Sequence, residues 1–210
     1  GLQPSNPNRY PSFDLVKQLV ARNETHIMPM IHYNHSQSST ISLDYALKTI
    51  VYNTAAYHCQ LNNVWPWLSR IFQNSDTPFV LQLSKRVLDE CGWPNVYNFV
   101  ASLKRYNNSN GGANFRRVLI DLSGGHGKLL DVDNCIQLLE TITEYFPQLG
   151  IGIAGGLCAE TLQTIHPILK RFPHVSIDAE GRLRNEQDEL DLNKAKQYLV
   201  TADRDRKSVV

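Results

Sequence analysis

The sequence predicts an α/β fold, a parallel (β/α) barrel of the TIM type, and three observations within residues 116–182 predict it. Three short apolar runs stand there, at Val118 to Leu122, Ile151 to Ala154 and Val175 to Ile177, all rich in β-branched residues. None alternates polar with apolar positions, so each reads as a strand buried on both faces, which requires helices packed outside the sheet. Each run ends in glycine or acid, and the first two pass directly into helix-patterned segments, giving consecutive βα units. In such a barrel chemistry gathers at the carboxyl ends of the strands, which singles out Asp121, Gly155 and Asp178.

The earlier elements repeat the pattern. Gly1 to Ser12 carries three prolines and little to bury, and reads as a surface arm. Phe13 to Arg22 follows Ser12 as a cap and spaces Phe13, Leu15, Val16, Leu19 and Val20 as an amphipathic helix does. Ile27 to His32 is the first expected strand, opening through the polar NHSQSST loop into a helix from Leu43 to Asn53. Ala55 to Leu61 is the second, followed by NNVWP and a short helix over Trp67 to Phe72. Pro78 to Leu83 is the third. Helical material from Val87 to Tyr106 follows, broken at Gly92-Trp93-Pro94, and an Asn/Ser/Gly connection runs from Asn107 to Asn114. Further helices are expected at Asp133 to Tyr145, Ala159 to Arg171 and Leu192 to Val200, with a charged, frayed tail beyond. The expected organisation is an arm over 1–12, one barrel domain over 13–203 and a tail over 204–210. Six strands are visible where a complete barrel of this type has eight, so the barrel is reduced or two strands are hidden. A reduced barrel leaves sheet edges for a second copy of the chain to cover, as in a homodimer.

Bulk properties narrow the function. A chain of 210 residues, 42% hydrophobic, supports one good core, and a net charge of +1 from 21 basic and 20 acidic residues gives no electrostatic footprint for nucleic acid or an anionic membrane. No apolar run approaches the ~20 residues needed to span a bilayer. Cys59, Cys91, Cys135 and Cys158 lie far apart without a CxxC pair, which points to reduced thiols and the cytoplasm.

Three motifs in order resemble the phosphoribosylanthranilate isomerases, a family of ribulose-phosphate-binding barrels. The family's sixth strand reads like LLD followed by GG.GK.FDW, and LIDLSGGHGKLLDV stands here; its seventh ends AGGL, as Ala154-Gly155-Gly156-Leu157 does. Its eighth ends in an acid, two small residues, a glycine and an acid, where Asp178-Ala179-Glu180-Gly181-Arg182 stands here. The resemblance covers roughly the last 40% of the chain. It implies that backbone N–H groups of Gly155, Gly156, Ala179 and Gly181 hold a substrate phosphate, because glycine lets the main chain approach an anion. It implies a general acid at Asp121 for an Amadori rearrangement, the isomerase step of tryptophan biosynthesis. The family's strand-one motif resembles KICG, and Met30-Ile31-His32-Tyr33 replaces it here, so His32 takes the base's position. The family's arginine-bearing loop after strand two is replaced by Asn62-Asn63-Val64-Trp65-Pro66.

Asn34, Gln60, Asn62, Gln82, Lys85, His126 and Asp178 lie at or near expected strand ends, where amides, imidazoles and charges can bind a polyhydroxylated, phosphorylated ligand. The leading expectation is a phosphosugar-binding barrel catalysing an aldose-to-ketose isomerisation without a cofactor or metal. Two alternatives stand beside it: a non-catalytic binding or regulatory relative, and a metal-assisted lyase or hydrolase using His32, His35, His58 or His126 with Asp121 or Asp178.

Overall fold

The computed structural model describes residues 18, 30–35, 56–61, 79–108, 115–123 and 128–209. The chain divides into two compact units, Gly1–Gln82 with Arg86–Arg116 and Leu83–Lys85 with Arg117–Val210. The fold is α/β, and all the described strand pairs are parallel.

In the first unit β1 (Met30–His35) pairs with β2 (Ala56–Leu61) over six positions, and β2 pairs with β3 (Phe79–Ser84). β1 extends through Asn34 and His35, which the sequence assigns to a loop, because its ladder with β2 continues as far as His35 opposite Leu61. The β3 residues Val80, Leu81 and Leu83 are buried, as the unalternating pattern requires.

The helical material after β3 forms two helices, α1 (Lys85–Glu90) and α2 (Val96–Asn108). Gly92 separates them at φ +88°, a left-handed conformation that suits glycine. The N–H of Trp93 donates to Leu88 O and that of Gly92 to Asp89 O, both at 3.0 Å, so the last carbonyls of α1 are satisfied. Asn95 then starts α2, its Oδ1 accepting from Asn98 N at 3.0 Å. Phe99 and Leu103, one helical turn apart, are fully buried, and Trp93 meets Phe99 edge-on at 5.3 Å.

In the second unit β4 (Phe115–Asp121), β5 (Gly150–Ala154) and β6 (Ser176–Asp178) form consecutive parallel pairs. α3 (Val132–Tyr145) connects β4 to β5 and begins at Asp131, whose Oδ1 accepts from Asn134 N at 3.1 Å. Its buried face presents Cys135, Leu138, Leu139 and Ile142 at helical spacing.

The single helix expected from Ala159 to Arg171 is instead a turn, a 3-10 helix (Leu162–Ile165) and α4 (His166–Arg171). Pro167 explains the break, because a proline lacks the N–H that would continue an α-helical ladder and is tolerated only in a helix's first turn. α5 runs from Leu192 to Val209, through the residues expected to fray. Asp205, on that extension, is buried, and its Oδ2 lies 3.1 Å from His166 Nε2 on α4, which ties the last turns down. Among the described residues no helix is long and apolar enough to cross a membrane.

Ile153 sits in the middle of β5 with no exposed surface, whereas Leu199 is 66% exposed on α5. Ile153→Ala should therefore lower unfolding free energy by about 2–5 kcal/mol in urea titrations, and Leu199→Ala by less than about 0.5 kcal/mol. Equal costs at the two positions would contradict the placement of the core.

Candidate functional site

The site is set by strand register. Asp121 pairs with Ala154 and Ala154 with Asp178, so two carboxylates stand level on either side of a small residue at the carboxyl ends of three parallel strands. Their backbones are two strand spacings apart, ~9.6 Å. One pleat below, Gly152 lies between Leu119 and Ser176, and a Cβ there would stand 2.9 Å from Ser176 Oγ and 3.0 Å from Leu119 Cδ1. A side chain there would have to displace Ser176 Oγ, which donates to Ile151 O at 3.1 Å.

Asp121 is buried at the end of β4, where its Oδ1 accepts from Ser123 N at 3.0 Å and from Ser123 Oγ at 2.6 Å. This is an Asx turn, in which a side chain replaces a backbone acceptor two residues on and fixes the exit of the strand. The D-x-S spacing was a readable signal for Ser123, which the sequence reasoning missed.

β5 leaves through Gly155 at φ +133° and Gly156 at φ +61°, a pair of left-handed conformations that side chains strongly disfavour. A Cβ on Gly155 would meet Ser123, Lys128 and Leu130 atoms at 3.6 Å, so the segment after β4 packs against this turn. Thr161, also missed in the sequence, holds the turn from the other side. Its hydroxyl donates to Gly156 O at 2.9 Å and accepts from Cys158 N at 2.9 Å.

Asp178 is open to solvent on one side, yet its carboxyl is pushed above the usual aspartate range. Burial by surrounding protein is the largest cause, followed by the negative charges of Glu180 and Asp121, while the N–H of Ala179 opposes the shift by donating to the carboxylate. Glu180 Oε1 accepts from Arg184 at 3.2 Å, and Gly181 opens a short 3-10 helix (Gly181–Leu183) with open space where a side chain would stand.

Asp121, Gly155, Gly156, Asp178, Ala179 and Gly181 therefore come together in the second unit. Lys85 is exposed at the start of α1. In the first unit His32 is level with His58 and Asn34 with Gln60 across β1 and β2, and Gln82 is buried on β3. Asn62 and His126 lie outside the described residues. Among the described residues, no group of three or more His, Cys, Asp or Glu residues is placed to hold a metal ion. Cys135 is a core thiol, pushed up to about 12 by burial and then by Asp131, and is no nucleophile near neutral pH.

No protein family's sequence profile matches the chain, and no curated protein matches it.

The raised Asp178 pKa has a definite sign in stability. A carboxyl whose folded value lies above its unfolded value of ~3.9 weakens the fold as pH rises past that value, fully so once pH exceeds the folded value. Asp178→Asn should raise Tm at pH 7, and the gain should disappear at about pH 3. A lower Tm at pH 7, or a gain that persists in acid, would refute this electrostatic assignment.

Proposed function

We propose that the chain is a phosphosugar-binding (β/α) barrel resembling the phosphoribosylanthranilate isomerases, which isomerises an aldose-type phosphorylated ligand to its ketose form. The observation that supports it most is the level row Asp121–Ala154–Asp178 with the Gly155–Gly156 turn leaving from its middle strand. In this reading the phosphate is held by main-chain N–H groups of Gly155, Gly156, Ala179 and Gly181. A carboxyl of the row protonates the ring oxygen as the ring opens. Asp121 takes that acid role by the resemblance; Asp178 is favoured for it by its raised pKa, since a general acid must still hold its proton near the working pH. The free thiols of Cys135 and Cys158 accord with a cytoplasmic setting.

A second reading, a non-catalytic relative that keeps the ligand site, is favoured by one contact. Asp121 Oδ1 is already engaged by both donors of Ser123, as in a turn-stabilising aspartate.

Consumption of N-(5-phosphoribosyl)anthranilate, followed by fluorescence, separates the two. The isomerase reading predicts turnover by the unmodified protein and a loss of about 10²-fold to 10⁴-fold in each of Asp121→Asn and Asp178→Asn, with ligand affinity nearly unchanged. Asparagine at 121 keeps an Oδ1 acceptor for Ser123, so the turn survives. Binding without turnover by the unmodified protein would sink the isomerase reading and leave the non-catalytic one.

A further inference from the structure

Beyond the glycine turn, the segment after β5 and the segment after β6 border a cleft of about 300 Å³, lined among others by Cys158, Glu160, Arg182, Arg184, Lys194 and Gln197. That volume is at the lower end of small-molecule sites, ~300–1,000 Å³. Neither Gly155, Gly156, Ala179 nor Gly181 lines it.

The charges in the cleft have different duties. Arg184 is a fixed wall, its side chain 17% exposed, donating to Asp188 O at 2.7 Å and to Glu180 Oε1 at 3.2 Å. Lys194 Nζ donates to Arg184 O at 2.7 Å, which uses one of the three donors of an ammonium. Glu160 is ionised: its carboxyl is held below the usual range by the Cys158 thiol, next by its own backbone N–H, and further by Lys194 and Arg182. Three basic side chains, Arg182, Arg184 and Lys194, line the cleft against one carboxylate, Glu160.

We propose that this cleft is a second, side-chain-built site for a small oxyanion that also carries hydroxyl donors, such as a phosphorylated or carboxylated polyol. Arg182 and Lys194 bind the oxyanion, since a guanidinium and an ammonium both form charge-assisted hydrogen bonds to phosphate and carboxylate. Glu160 and Gln197 accept from the hydroxyls; a bare anion meets the Glu160 charge, whereas a hydroxylated one turns it into a hydrogen-bond partner. The site goes beyond the isomerase reading and does not depend on the glycine turn.

Calorimetric titration of the full chain at low salt with glycerol 3-phosphate, malate and inorganic phosphate tests it. Saturable binding of glycerol 3-phosphate identifies a phosphate ester, and saturable binding of malate identifies a hydroxy acid. Arg182→Gln, at an exposed position, should weaken that binding roughly ten-fold or more. Glu160→Gln, also exposed, should strengthen binding of inorganic phosphate several-fold by removing the opposing charge while leaving the fold intact by circular dichroism. Absence of binding by both polyol anions, or binding indifferent to both substitutions, overturns the proposal; in the latter case the anion sits elsewhere, as at Gly155–Gly156.

Discussion

Parallel register is the constraint on which the candidate site depends. Because side chains alternate along a strand, a slip of one residue in β5 would turn every one of its side chains to the opposite face. The buried residues Ile120 and Ile153, paired across β4 and β5, oppose such a slip, since it would turn Ile153 to the crowded face where Gly152 and Ala154 now stand. Gly152 opposes it as well, because a Cβ in its place would press on Ser176 Oγ and Leu119 Cδ1. The acids at the strand ends inherit this precision: Asp121 and Asp178 are level because the apolar residues one position earlier are level.

The loops above that row are fixed by short polar contacts. Ser123 on Asp121, Thr161 across Gly156 and Cys158, and Arg184 on Glu180 each satisfy groups at a chain reversal. Main-chain atoms held this way are suited to fixed recognition of a small ligand, because little ordering remains to be done on binding. The same contacts decide which N–H groups can serve a ligand. That of Cys158 is turned to Thr161.

The sequence was most legible where one physical rule dominated. β4 and β5 could be read because burial on both faces removes polar alternation; β5 and β6 lie within a residue of the expected bounds, while β4 starts three residues before the expected Val118. α3 was legible through Asp131 and the spacing of Cys135, Leu138, Leu139 and Ile142. The region from Ala159 to Arg171 was not, because apolar spacing suggested a continuous helix while the backbone consequence of Pro167 is local. The last turns of α5 were hidden because their tether, His166 with Asp205, joins residues far apart in sequence. The cleft of Arg182, Lys194 and Glu160 was illegible for the same reason, since only the folded backbone brings these charges to one place.

The two carboxylates of the row can be tested as a coupled pair by carbon-13 NMR titration of the aspartate carboxyls in the unmodified protein and in Asp121→Asn. Asp178 should titrate above the ordinary aspartate value of ~3.9, and its midpoint should fall when the charge at position 121 is removed. An Asp178 that titrates at or below ~3.9, or that ignores the substitution, would contradict the account of this row as an electrostatically linked site.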